Sequence, residues 1–197
     1  MSSGEPDPWL ERWLPLVVER SAGKAVLELG CGSGRDSSVL AAAGLAVIGI
    51  DSSPEQLEQA RARVPKGTFY EGDIRDGFPD VSGFGVILAS LVLHYFSWDE
   101  TTALAHRLLL CLRYGGVLLV RVNSTHDHEH GASGHPELGE NYYLVDGKPK
   151  RFFDRDALMR LFDGSWNFVH LEERVIQRYA RPKAIWEAVL ERPVTGP

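Results

Sequence analysis

Glu28, the glycines Gly30, Gly32 and Gly34, and Asp51 are the residues of this 197-residue chain whose types and spacing best suit chemistry. The glycines follow a short apolar run, Val26-Leu-Glu-Leu29, with Cys31 and Ser33 set between them. A glycine turn joining a strand to a helix lets backbone approach a ligand at the carboxyl edge of a sheet. An acid closing the next strand, here Asp51 after Ala46-Val-Ile-Gly-Ile50, can accept hydrogen bonds from both hydroxyls of a ribose. The dinucleotide fingerprint wants glycine or alanine where Arg35 stands, and no Walker glycine-lysine-hydroxyl pattern occurs. Glu28 would repel a pyrophosphate but suits a ligand that carries an ammonium or a sulfonium. A nucleoside with a cationic tail is the ligand these residues describe.

Four stretches resemble, in order, the motifs of class I S-adenosylmethionine-dependent methyltransferases. They are Glu28-Leu-Gly-Cys-Gly-Ser-Gly34, Gly49-Ile-Asp51, Gly72-Asp73-Ile74, and Leu118-Leu-Val-Arg-Val122 after Gly115-Gly116. The resemblance spans residues 20–122. Farther on, Arg151-Phe-Phe-Asp154 through Lys183-Ala-Ile-Trp186 is similar, more loosely, to small bacterial methyltransferases related to tellurite-resistance enzymes. The likeness implies S-adenosyl-L-methionine as cofactor and S-adenosyl-L-homocysteine as product. It implies that Glu28, Gly30, Gly32 and Gly34, with Cys31 among them, shape the methionine end of the pocket. Asp51 then takes the ribose, and Ser52 lies against the adenosine. Asp73 accepts from the adenine amino group, Ile74 packs on the ring, and Ser90 lies near the methionine end through its backbone.

Methyl transfer from a sulfonium is an in-line displacement, so acceptor, methyl and sulfur must be aligned and water kept out. A protonated acceptor also needs a base. Candidates come from the loops after the fourth and fifth strands, at the carboxyl ends of the sheet. Within Leu88-Ala-Ser-Leu-Val-Leu-His-Tyr-Phe-Ser97, His94 is the first candidate catalytic residue and Tyr95 the second, with Phe96 and Trp98 as an aromatic wall. The alternative for His94 is a helix-start imidazole satisfied by backbone. Asn123-Ser-Thr-His-Asp-His-Glu-His130 opens a loop, residues 123–151, expected to cover the acceptor site, with Asn123, His126 or Tyr142 touching substrate. His126, His128 and His130 would share a face if extended, but a polar, Gly-rich run is ordinarily solvated, and no metal site is expected. Arg121, Lys148, Lys150, Arg151 and Arg155 either make that mouth basic or are plain solvated surface.

Around these residues the chain alternates strands and helices, which predicts an α/β fold: one doubly wound, mostly parallel, seven-stranded Rossmann-like sheet ending in an antiparallel hairpin. An N-terminal helix is expected within residues 1–22, and Ser53-Pro54-Glu55-Gln56 opens another with a capping box. Asp99 is expected to cap a helix through Leu112, which Gly115-Gly116 break before a strand from Val117 to Val122. Two further strands, Trp166–Gln177 and Lys183–Glu191, close the chain, the second with the partial alternation of a strand near a sheet edge. Length and composition, 44% hydrophobic and 24% charged, fit one globular domain, and the resemblance implies a single methyltransferase domain over residues 1–197. A net charge of −6 excludes a general nucleic-acid binder, and no apolar run is long enough to span a membrane. Two cysteines, Cys31 and Cys111, make no disulfide framework, so a cytoplasmic protein, monomer or homodimer, is expected. Against the pattern of the methyltransferases it resembles, the chain has no inserted recognition module and no Asn/Asp-Pro-Pro-Tyr/Phe motif after the fourth strand, so a small-molecule acceptor is expected. The alternatives are a thiol or chalcogen methyltransferase and a non-catalytic S-adenosylmethionine-binding protein.

Overall fold

A computed structural model of the chain describes residues 7–78, 83–177 and 179–194. The expected N-terminal helix therefore lies in part outside the described residues. What is described there is a 3-10 turn, Glu11–Trp13, followed by α1, Leu14–Ser21, with Pro15 in its first turn. Proline costs nothing there, because the first N–H groups of a helix have no intrahelical partner.

The chain then runs β1 (Val26–Leu29), α2 (Arg35–Ala42), β2 (Val47–Asp51), α3 (Pro54–Arg63), β3 (Thr68–Glu71) and β4 (Phe84–Ser90). It continues through α4 (Trp98–Cys111), β5 (Leu112–Asn123), three short strands, α5 (Arg155–Leu161), β9 (Asn167–Ile176) and β10 (Lys183–Glu191). One sheet has the order β3-β2-β1-β4-β5-β10-β9. The pairs among β1 to β5 are parallel, while β10 is antiparallel to both β5 and β9. The doubly wound, seven-stranded sheet with a closing hairpin is thus as the sequence predicts. Leu27, Leu29, Ile87 and Leu118 face one layer of helices, and Val26, Val86, Leu88, Val117 and Leu119 face Trp9, Leu10 and Val17 on the other. Such runs are apolar throughout because both faces of a parallel sheet are covered.

Three expectations are corrected. Ser97, not Asp99, caps α4: its hydroxyl accepts from Glu100 N–H at 3.3 Å and Glu100 Oε2 accepts from Ser97 N–H at 2.9 Å. Gly115 and Gly116 do not end a helix before a new strand; they lie inside β5, where the pairing with β4 shifts register. A Cβ on Gly116 would stand 2.9 Å from Phe84 O, so the irregular pairing demands glycine. The segment 123–151 is not a plain loop: it holds a second sheet of β6 (Glu137–Gly139), β7 (Tyr142–Val145) and β8 (Lys148–Arg151), order β6-β7-β8. Strand β10 lies near the sheet edge, as its pattern suggests, but its polar residues are not solvent-facing. It is buried between β5 and β9, and its polar residues have private partners: Lys183 Nζ donates to Asp127 Oδ2 at 2.8 Å, and Glu187 accepts from Arg12 and from Trp13 Nε1. The edge belongs to β9, whose residues alternate in exposure.

Candidate active site

The sheet order reverses between β1 and β4, the place where open α/β sheets bind ligands. Directly after β1, Gly30, Gly32 and Gly34 all have positive φ, 60°, 51° and 76°. That conformation is open to glycine without the steric penalty a Cβ carries. Gly30 also meets the chain after β4, where a Cβ would lie 2.7 Å from Val92 Cγ2. Gly34 answers to packing instead: its Cβ would lie 2.9 Å from the Ala60 Cα of α3. It lines neither cleft described below, so its part in shaping the pocket is to set α2 against α3.

Asp51 closes β2 and holds the turn from the other side. Gly32 N–H donates to its Oδ2 at 2.8 Å and Ser53 N–H to its Oδ1 at 2.9 Å. Each carboxylate oxygen keeps a further lone pair for a ligand. Asp51 opens on a cleft of about 440 Å³ with Gly30, Ser52, Asp73, Ile74 and Tyr95. Leu91, Val92, Phe96, Gly72 and Lys148 complete its wall. Ile74 is the buried apolar face. Asp73 carries a fork from Arg75, with Nη2 2.6 Å from Oδ2 and Nε 3.0 Å from Oδ1, and those bonds hold its carboxyl below the usual range.

A second, contiguous hollow of about 200 Å³ lies under the glycine turn, bordered by Glu28, Gly32, Cys31, Ser90 and Asp36. Glu28 is buried and accepts from the Ser37 hydroxyl of α2. Burial, reinforced by Asp36, pushes its carboxyl up to about 8, which favours the protonated form at neutral pH. Cys31 is pushed up by burial beside Glu28 and is no nucleophile. Ser90 Oγ accepts from Arg121 Nε at 3.0 Å.

The acceptor-side candidates scatter. His94 lies in a 3-10 turn, Leu93–Tyr95, and is buried. Burial first, then the Lys183 and Lys150 ammonium groups, hold its imidazole well below the usual range. Its Nδ1 has no partner among the described residues, so none of their backbone groups satisfies that atom. Its ring stands 4.3 Å from that of Tyr95, whose phenol burial raises. Asn123 is also buried, and neither atom of its side-chain amide has a partner among the described residues. Tyr142 Oη reaches Tyr95 O at 3.4 Å but faces a separate hollow, where Arg151 and Arg160 flank Trp98. His126 lies away from both clefts, its Nδ1 2.7 Å from Glu173 Oε1 on β9. No group of three metal-ligating side chains occurs among the described residues.

Of the basic residues read as mouth or surface, Lys148 lines the cleft while Arg121 is fully buried. Arg121 pairs with Asp7 and stacks over Trp9 at 4.2 Å, contacts that span more than a hundred residues of sequence and leave no local signal.

Strand order, glycine turn, the acid closing β2 and a cleft at the switch point define the fold of class I methyltransferases. Residues 26–116 match the model of the methyltransferase domain family. An uncharacterised methyltransferase of Synechocystis is 32% identical over 54% of this chain and 52% of its own length. A trans-aconitate 2-methyltransferase of Deinococcus radiodurans is 38% identical over 57% of this chain and 43% of its own. The chain thus spans about half the length of the curated relatives it matches. An S-adenosylmethionine-dependent methyltransferase from Methanosarcina mazei superposes with a TM-score of 0.76 at 16% identity, over 91% of this chain and 98% of that one. The looser likeness to tellurite-resistance enzymes gains no support from these matches.

Proposed function

We propose that the chain is a single methyltransferase domain that moves the methyl group of S-adenosylmethionine onto a small-molecule acceptor. The observation that carries this reading is the cleft at the switch point, lined by Asp51, together with the contiguous hollow that Glu28 borders. The cofactor supplies an electrophilic methyl on a sulfonium, and the chain supplies binding, alignment and dryness. Asp51 has lone pairs for two ribose hydroxyls while it braces Gly32 and Ser53. Ile74 and Phe96 offer apolar faces to a purine ring, and the protonated Glu28 can give up its proton as a cationic ligand enters. His94, neutral at pH 7 and unpartnered at Nδ1, accepts a proton from a hydroxyl or amine acceptor, with Tyr95 beside it.

No helix among the described residues is long and apolar enough to cross a membrane. Two free cysteines suit a reducing compartment, and a cytoplasmic location is part of the proposal. The test is transfer of a labelled methyl group to an acceptor panel that begins with trans-aconitate, the acceptor in the names of several relatives, and includes thiols. Turnover on an organic acid, alcohol or amine supports the proposal. Turnover confined to thiols or chalcogen oxyanions replaces it with the chalcogen reading. Cofactor binding without turnover on any acceptor replaces it with a non-catalytic binding protein.

A further inference from the structure

Three buried polar groups at the carboxyl ends of β4 and β5 have no hydrogen-bond partner among the described residues: Arg121 Nη2, both side-chain atoms of Asn123, and His94 Nδ1. Buried polar atoms are ordinarily hydrogen-bonded, and an unmade bond there costs more than a made one gains. Arg121 and Asn123 are two residues apart on one strand, so their side chains leave the same face about 7 Å apart. That face is the one on which Val117 and Leu119 meet Trp9 and Leu10. Arg121 Nε donates to Ser90 Oγ, and Ser90 borders the hollow under the glycine turn. The guanidinium is therefore one side chain behind the ligand cleft.

The other charges near this group are accounted for. Arg121 sits opposite Glu187 of β10, but Glu187 is engaged by Arg12 and Trp13. The carboxylate that reaches Arg121 is Asp7, through Nη1, and Asp7 comes from the strand-free segment before the 3-10 turn rather than from the sheet. A guanidinium fork binds carboxylate with two parallel bonds, and here one prong is used and the other is not.

We infer that Arg121 and Asn123 form a subsite for a carboxylate of the methyl acceptor, and that Asp7 stands in for that carboxylate when no acceptor is bound. The inference rests on the methyltransferase reading and narrows its acceptor to an anion. Asp7 and the ligand then compete for one guanidinium, so the two states differ by the exchange of one carboxylate for another and the displacement of Asp7.

The test is thermal unfolding of the protein saturated with S-adenosylhomocysteine, titrated with fumarate, succinate and benzoate and, in parallel, with the corresponding amides. Carboxylates raise Tm and amides do not. Asn123→Leu and Arg121→Gln weaken the carboxylate response about tenfold or more, the loss of one charge-assisted bond. Asn123→Leu also raises the Tm of the free protein, since it replaces unpartnered polar atoms by apolar ones of similar size. Asp7→Asn does the reverse, lowering the free protein's Tm while tightening the carboxylate response. Equal responses to acids and amides, or no gain in Asp7→Asn, overturn the inference. A third arm compares S-adenosylhomocysteine with 5′-methylthioadenosine, which lacks the amino-acid end. If Arg121→Gln weakens only the former, the subsite holds the cofactor's own carboxylate and the acceptor assignment fails. Failure of S-adenosylhomocysteine to bind the unaltered protein removes the methyltransferase reading itself, a separate result.

Discussion

Replacing Asp51 by asparagine separates the two tasks its carboxylate performs. One task is internal: Gly32 N–H and Ser53 N–H each donate to a different oxygen, at 2.8 and 2.9 Å. Asparagine has one carbonyl oxygen, so one of these donors faces an NH₂ group, and stability falls by about 1.5–3 kcal/mol, the value of one bond to a charged acceptor. The other task is toward the cofactor. Two ribose hydroxyls on the remaining lone pairs, at about 1.5 kcal/mol each, amount to about 3 kcal/mol, or roughly a hundredfold in affinity when Asp51→Ala removes both. Urea unfolding reads the first quantity and calorimetric titration with S-adenosylhomocysteine reads the second. The reasoning is refuted if Asp51→Ala binds S-adenosylhomocysteine as tightly as the unaltered protein. A loss of stability without a loss of affinity would confine Asp51 to bracing the turn.

Three further outcomes follow from the same geometry. Glu28 is raised from its ordinary 4.5 to about 8, so the folded state keeps a proton that the unfolded chain releases; the stability this contributes is whole below pH 4.5 and is lost as pH rises toward 8. The urea midpoint of the cofactor-free protein should therefore drop from pH 5 to pH 8 relative to Glu28→Gln, and equal pH profiles would contradict the raised value. His94→Gln should lower turnover by about a hundredfold with cofactor affinity unchanged, as for loss of a general base; parallel losses in both would mark a structural histidine. Gly34→Ala carries a conformational cost of about 1–3 kcal/mol and an added clash with α3, whereas Gly44→Ala, at φ 80° with open space around it, carries the first alone. Unfolding free energies that rank Gly44→Ala as the costlier change would contradict the packing role of Gly34.

The glycine turn and Asp51 were legible because their signals are local. A positive φ selects glycine at the position itself, and the acid falls at the end of the next strand. The strand-helix alternation was legible for the same reason. What escaped depends on pairs far apart in sequence. Lys148-Pro-Lys-Arg151 has no strand pattern, yet it forms β8 because it pairs with Tyr142–Val145 across a tight turn and packs beside the His94 segment. The polar residues Lys183 and Glu187 carry no local sign of burial; Asp127, Arg12 and Trp13, distant in sequence, are the partners that explain it. Arg121 shows the same lesson at the site: its charge reads as surface until Asp7 and Trp9 fold over it. His126 misled in the other direction, since its place in a polar loop said nothing of the bond to Glu173 that turns it away from the cleft.

The central claim is that the cleft at the β1–β4 switch point holds S-adenosylmethionine. Calorimetric titration with S-adenosylhomocysteine, with NAD⁺ as the control ligand, tests it most directly. The account predicts micromolar binding of S-adenosylhomocysteine and none of NAD⁺. Binding of NAD⁺ alone, or of neither, would contradict it.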